Sequence, residues 1–366
     1  MKKKKVLIDG FYLEKPRGLG RYVKELLHSL CKIENLNYEF LILLPAGARI
    51  EIEDNQSLNY IKVKKVPFPI WEQIVVPYYC LKYKADILLS PYNTFPIISK
   101  FMNCKNLITV HDLMFFDKDN TGGNSYQRYG NFYRRMCAKR IPKNAHIMTV
   151  SEKSSQEIQK VLNRESKVIY TSLELFNKTS KEKIKHSKIL QTLDVSKQKY
   201  FYHIGGISPH KNTERVIKAF LALREESVKL VISGLPEDNN LKEKYQKFGQ
   251  IVFTKWLEDG DIAALYSDAL GIIFPSLMEG YGLPIVEGFT FKKPVITSNI
   301  DPMKEISGDA AMLIDPYNID SIREAMNELL YNESLKEILL DKVENRRVLF
   351  SAKKMGHEVL ETLNSM

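Results

Sequence analysis

Short, unbroken apolar runs recur along this chain, and longer stretches of helical periodicity separate them. In the first half the runs are Val6-Leu7-Ile8, Phe40 to Leu44, Ile87-Leu88-Leu89, Leu107 to Val110 and Ile147 to Val150. A strand reads this way when both its faces are covered, as in a parallel sheet, because neither face has to meet water. Between the first two runs, Arg21 to Cys31 places Tyr22, Leu26, Leu27 and Leu30 on one side of a helix. Strands alternating with such helices predict an α/β class, with a doubly wound parallel sheet.

The second half repeats the scheme. Phe201 to Ile204, Lys229 to Ile232, Ile251 to Phe253, Leu270 to Phe274 and Pro294 to Thr297 read as strands, with helices near 213–224, 261–268, 284–292 and 319–331. At 366 residues the chain exceeds one ordinary domain and suits two. The polar, lysine-rich stretch 177–199 serves as the linker region. It divides an N-terminal domain, 1–176, from a C-terminal domain, 200–350, and 351–366 forms a separate helix after a break near Phe350-Ser351. No repeat with a period of about 20 to 50 residues interrupts the pattern.

Composition excludes several classes. Hydrophobic residues make up 44% and charged residues 27%, a globular balance. No apolar run approaches the roughly 18 to 20 residues of a membrane span. Lys2 to Lys5 lead into only three apolar residues, short of the about 7 to 15 of a secretory signal, so this start reads as a strand. Cys31, Cys80, Cys104 and Cys137 are scattered, which suits reduced thiols in a cytoplasmic protein. The net charge of +10 is uneven: residues 1–170 carry +12 and the remainder −2. A basic first half points to an anionic partner or to a solvated basic surface. No nucleic-acid recognition motif accompanies it, so nucleic acid is not expected. Residues 126–140 mix basic and aromatic side chains. They suit either a helix at an anionic membrane surface or one that turns its aromatics inward and its arginines outward.

In open parallel sheets, ligands bind beyond the carboxyl ends of the strands. After the run ending at Phe274 comes Pro275-Ser276-Leu277-Met278-Glu279-Gly280-Tyr281-Gly282-Leu283-Pro284-Ile285-Val286-Glu287. Proline suits the first position of a helix, since it lacks only an N–H that would be unpaired there. Amides around Gly280, Tyr281, Gly282 and Leu283, with the positive end of the helix dipole, make an anion site suited to a diphosphate. The glycines allow close approach. Glu287, expected in the first helical turn, can accept hydrogen bonds from a ribose diol, and Glu279 precedes the turn where a transferred group would lie.

This string resembles the signature of glycosyltransferase family 4. Lys293 to Asn299 and Pro302 to Ala311 resemble the continuation, as do Gly18-Leu19-Gly20-Arg21-Tyr22, His111-Asp112 and Val150-Ser151. The matches run from residue 9 to about 330 in family order. They bring to mind the bacterial mannosyltransferase-like members of lipopolysaccharide and capsule assembly. The resemblance implies a GT-B fold, two Rossmann-like domains across a cleft, with the last helix crossing back to the first domain. It also implies a nucleotide diphosphate sugar (GDP- or UDP-linked) as donor, retention of anomeric configuration, and a glycan or lipid-linked acceptor held by the first domain. By the same resemblance, Lys211 in Gly205-Gly206-Ile207-Ser208-Pro209-His210-Lys211-Asn212 meets the donor phosphates, with Gly206 and His210 beside it. Asn212 reads as the cap of the following helix. The resembling subgroup carries Arg where His210 stands, and many members carry Arg where Gly206 stands, which bears on the strength of the phosphate clamp. Gly18 and Gly20 belong to a loop that closes on donor and acceptor, or form a simple tight turn. The resemblance also implies that His111 contacts the transferred sugar.

Asp117-Lys118-Asp119 and Asp259-Gly260-Asp261 read as polar loops, with Asp261 as a helix cap, so no metal or other cofactor is expected. The expected activity is hexosyl transfer, with mannose a candidate sugar, for surface polysaccharide, in the cytoplasm or peripherally at the inner face of the membrane. The alternative is a catalytically silent glycan-binding partner of another transferase. A dinucleotide-dependent oxidoreductase would need a third glycine after Gly18-Leu19-Gly20.

Overall fold

The computed structural model describes residues 3–15, 18–34, 37–48, 52, 57–117, 125–196, 199–206 and 208–366. The chain forms two compact units, Met1–Leu175 together with Ser351–Met366, and Phe176–Phe350.

The first unit holds a parallel sheet of β1 (Lys4–Asp9), β2 (Tyr38–Pro45), β3 (Leu58–Val63), β4 (Ile87–Ser90), β5 (Lys105–Thr109), β6 (His146–Thr149) and β7 (Lys167–Val168). Their order is β3-β2-β1-β4-β5-β6-β7. The second holds β8 (Lys199–Ile204), β9 (Val228–Ser233), β10 (Ile251–Phe253), β11 (Gly271–Phe274), β12 (Val295–Ser298) and β13 (Met312–Ile314). These run β10-β9-β8-β11-β12-β13, again all parallel. Every residue of β4 and β11 is buried, which is what an unbroken apolar run requires. Three strands escape the sequence reading, namely β3, β7 and β13. All are sheet edges with mixed exposure, so each needs less apolar sequence.

The stretch 177–199 is largely helical, over Glu174–Ile184 and Ile189–Thr192, and most of it packs within the second unit. Phe176 meets Phe291 edge to face at 6.1 Å, and Ser187 Oγ donates to Asp261 Oδ1 at 2.7 Å. Asp261 is therefore no cap. It lies inside the first turn of the helix Asp259–Asp268, which Glu258 precedes as N-cap.

The helix Ala352–Asn364 belongs to the first unit and packs on Leu19–Cys31. Tyr38 donates its hydroxyl to Asn364 Oδ1 at 2.8 Å, and Glu174 Oε1 accepts from the Ala352 amide at 2.9 Å. The two helices approach so closely at Gly356 that a Cβ there would sit 2.4 Å from the Ser29 carbonyl oxygen. Helix propensity alone would make Gly356→Ala stabilising by about 1 kcal/mol. The contact reverses the sign: we expect a loss of about 1 to 3 kcal/mol, the scale of overpacking, read as a lower melting temperature of the purified protein.

Candidate functional site

In each sheet the winding reverses once, between β1 and β4 and between β8 and β11. Loops leaving the carboxyl ends of those strands diverge and leave a crevice. Most candidate residues fall on or beside these loops, while His111 follows β5 and Glu287 lies in the helix Leu283–Thr290.

In the second unit β8 and β11 pair with Tyr202 opposite Ile272 and His203 opposite Ile273, so their loops emerge side by side. Backbone bonds stitch them together. The Leu277 amide donates to the His210 carbonyl at 2.7 Å, and Asn212 Nδ2 donates to the carbonyls of Pro275 (3.1 Å) and Pro316 (2.7 Å). Asn212 thus ties three loops together instead of capping the helix Thr213–Ala222 with its side chain. Beneath them lies a buried His203. Its Nδ1 faces the Ile273 carbonyl at 2.8 Å and so carries the proton, while Nε2 accepts from Thr213. Burial holds its pKa down to about 4, which keeps this residue neutral and structural.

Lys211 ends the short turn Pro209–Lys211. Its Nζ lies 2.6 Å from Glu279 Oε1 and 5.1 Å from the centre of the Phe274 ring. Ser276 Oγ reaches the same carboxylate oxygen at 2.7 Å. Among the described residues, both contacts of Glu279 are made through Oε1. Gly206 gives the lysine stem its room, since a Cβ there would sit 3.1 Å from Lys211 Cγ. His210 contributes its backbone carbonyl to the loop junction. Lys211, Glu279, Gly206 and His210 are therefore brought together by the β8 and β11 loops.

Gly280, Tyr281 and Gly282 lead into the helix Leu283–Thr290, with Pro284 as its second residue. Gly282 has φ +111°, a conformation that an L side chain resists. Tyr281 is buried, edge to face with Phe350 at 6.5 Å. Glu287 is the fifth helical residue, just past the first turn in which it is expected. It is buried, and Tyr266 donates its hydroxyl to Oε2 at 2.5 Å. The Tyr266 ring stacks on Phe291 at 5.6 Å, which fixes the pair. Neither Ser276 nor Tyr266 was singled out from the sequence. A tyrosine or serine on an amphipathic background carries no distinctive local signal.

In the first unit, His111 follows β5. Its Nε2 is 2.8 Å from the Pro91 carbonyl, its backbone amide donates to Asn93 Oδ1, and its ring meets Tyr22 edge to face at 4.5 Å. Burial lowers its pKa to about 4, so the ring is neutral, with the proton on Nε2. Gly18 (φ +57°) precedes the helix Leu19–Cys31. A Cβ on Gly20 would fall 2.2 Å from the Lys15 carbonyl oxygen, so Gly20 is required by packing.

The same crevice holds a carboxylate pair that the sequence reading missed. Asp9 ends β1 and accepts from Trp71 Nε1 at 2.8 Å and from the Phe11 amide at 3.0 Å. Glu72 sits on a π-helical turn, Trp71–Val75, and accepts from Gln73 (2.9 Å), Tyr133 (2.5 Å) and Thr94. Such turns are frequent at functional sites. The rings of Phe11, Tyr12, Phe68 and Tyr92 pack around this pair. Burial raises Asp9 to about 6 and Glu72 to about 7 against their hydrogen bonds, and the charge of Asp9 adds to the shift of Glu72.

Asp259 and Asp261 lie in the first turn of their helix, apart from these loops in sequence. Lys118 and Asp119 of the other acidic string lie outside the described residues. Among the described residues, no group of three His, Cys, Asp or Glu side chains could hold a metal ion.

Two doubly wound parallel sheets, each with its loops at a reversal point, define the GT-B fold of glycosyltransferases. Solved structures share it along almost the whole chain. A sucrose-phosphate synthase from Thermosynechococcus elongatus superposes with TM-score 0.73 at 14% identity, covering 99% of each chain. Anabaena Alr3699/HepE in complex with UDP-glucose superposes with TM-score 0.72 at 17% identity, covering 99% of this chain and 100% of that one. Residues 186–346 match the family model described as Glycosyl transferases group 1. Relatives include O-antigen chain mannosyltransferase B of Escherichia coli, 31% identical over 206 residues, 52% of this chain and 53% of the relative. O-antigen chain mannosyltransferase RfbU of Salmonella typhimurium is 25% identical over 254 residues, 66% of this chain and 64% of the relative. The chain thus spans about half to two thirds of the length of these relatives.

The Glu72 shift has a readable consequence. Its ordinary value is 4.5 and its folded value about 7, so between these pH values the folded state binds more protons than the unfolded chain. Stability should therefore be greatest below about pH 4.5 as far as this group is concerned, and should fall by up to about 3 kcal/mol as the pH rises to 7. Glu72→Gln should flatten that fall. Denaturant melts at pH 5 and pH 7.5 test this, and equal pH slopes for both proteins would refute it.

Proposed function

We propose that this chain is a retaining glycosyltransferase. It would move a hexose, with mannose the first choice, from a nucleotide diphosphate sugar to a glycan or lipid-linked acceptor of bacterial surface polysaccharide. The observation that carries the reading is the Lys211 ammonium 2.6 Å from Glu279, on the loop that leads into the Leu283 helix. The names of the two relatives, both O-antigen mannosyltransferases, support the choice of sugar and product.

In this reading the bond from the sugar's anomeric carbon to the leaving phosphate breaks, and the acceptor oxygen bonds to the same face. The acceptor's proton passes to an oxygen of the departing phosphate. Lys211 and the amides of Gly280 to Leu283 take up the charge that grows on the diphosphate, which lowers the barrier because the cation is already in place. Glu279 holds Lys211 through Oε1 before the donor arrives, and its Oε2 accepts from a hydroxyl of the transferred sugar. Glu287, fixed by Tyr266, accepts from the ribose. Neutral His111, with Nε2 committed to Pro91, offers Nδ1 to the sugar. Lys211 supplies the positive charge, so no metal is required.

Nucleotide released from GDP-, UDP-, ADP- and dTDP-sugars in the presence of acceptor glycans reads the activity. Lys211→Ala should lower turnover at saturating donor by about a hundredfold or more, and EDTA should leave the wild-type rate unchanged. A nucleotide that binds and is released from none of the four donors would favour a silent glycan-binding partner. A rate that EDTA abolishes and manganese restores would remove the metal-free reading.

Glu287→Ala should weaken nucleotide binding by about 1.5 to 3 kcal/mol, the scale of hydrogen bonds to a charged group. Tyr266→Phe should weaken it less, since it frees the carboxylate without deleting it. Calorimetry on folded variants checks both, and unchanged affinity in Glu287→Ala would move the ribose elsewhere.

A further inference from the structure

We infer that the first unit docks on an anionic lipid bilayer through the outward face of residues 68–83 and the two segments beside it. Residues 68–83 form a continuous helical segment, Phe68–Ile70, Trp71–Val75 and Val76–Tyr83. One face is buried, with Trp71, Val76 and Cys80 in the core. The opposite face of a surface helix is ordinarily polar. Here the exposed residues are Ile70, Ile74, Tyr78, Leu81 and Lys82, and the two most exposed apolar ones, Ile74 and Leu81, each show 63% of their surface. Spacings of three and four residues put them on one side.

Two neighbours extend the patch. Gln73 binds both: its Nε2 donates to the Phe95 carbonyl (3.0 Å) and to Tyr133 (2.7 Å), and its Oε1 accepts from the Ile97 amide (2.9 Å). The short helix Ile97–Phe101 exposes Ile98, Lys100 and Phe101. The helix Ser125–Ala138 exposes Tyr129 and Phe132 while turning Tyr133 inward. A monomer's surface rarely gathers so many large apolar side chains without a partner.

Charge selects the partner. Lys82 lies over the rings of Tyr79 and Tyr83 at 5.3 and 5.7 Å, and Lys100 over Phe101 at 4.6 Å. Apolar side chains beside cations that rise from aromatic rings match the boundary between acyl chains and headgroups. Lys84 and Arg128 are exposed nearby, and residues 125–145 carry six cations and no carboxylate. Glu72, the one acid in 68–83, is buried. The arginines 134, 135 and 140, on which a basic-aromatic reading of 126–140 would lean, instead bond to Asn131, Phe115 and Met136 of their own chain. No helix of the described residues is long and apolar enough to cross a membrane, so the contact is peripheral.

Co-sedimentation with phosphatidylcholine vesicles, with and without phosphatidylglycerol, tests this on the full chain. Wild type should bind only the anionic vesicles and weaken as sodium chloride rises. The Ile74→Glu, Leu81→Glu double variant should partition at least about tenfold less even at low salt, the effect of withdrawing buried aliphatic side chains. Lys82→Gln, Lys84→Gln and Lys100→Gln should each cost about fivefold. Both residues of the double variant are already exposed, so its thermal melt should match wild type and certify the fold. Wild type that ignores anionic vesicles at low salt overturns the proposal, as does a folded double variant that still binds. Sedimentation velocity without lipid gives the remaining arm: a wild-type dimer that the double variant abolishes would make this face a self-association surface instead.

Discussion

Pairing of parallel strands across the winding reversals organises everything else in this protein. Where β8 meets β11, the helices that follow each strand leave on opposite sides, and the loops part. Only there can a lysine from one loop and a glutamate from the other meet without crossing a packed helix. The same holds where β1 meets β4, and there the loops carry Asp9 on one side and the Pro91–Asn93 stretch that seats His111 on the other. The hydrophobic core sets the geometry, and the polar chemistry occupies the opening that it leaves.

Legibility followed burial. Strands covered on both faces were readable because water exclusion writes itself as an unbroken apolar run. The edges β3, β7 and β13 were not, since a half-solvated strand has no such obligation. The residues from Pro275 to Glu287 suggest an anion site because glycine, proline and acid at fixed spacing constrain the backbone. What the string could not reveal was the partner of each acid. Glu279 turns to Lys211, 68 residues away in sequence, and Glu287 to Tyr266 on another helix. Asn212 stands at the N-cap position as expected and shows the same limit. Asparagine before a helix suggests a cap, yet its side chain spans to Pro275 and Pro316, distant contacts that local pattern does not encode.

The face of residues 68–83 escaped notice for the opposite reason. A segment apolar on both sides reads as buried helix or strand, and sequence gives no means of seeing that half of it meets no protein. Asp9 and Glu72 were hidden too, since a single acid at the end of an apolar run has many uses. Their proximity, and the raised pKa values that follow, exist only in three dimensions.

The return of Ala352–Asn364 to the first unit sets the order in which the molecule can be finished at the ribosome. The apolar flank of Leu19–Cys31 is made before the second unit, but the helix that covers it, with Gly356 seated on Ser29, is translated only after the whole of that unit. Domains ordinarily complete themselves in the order of synthesis. Here the second unit has all its residues in hand while the first still lacks a covering helix, so the domain begun first is closed last.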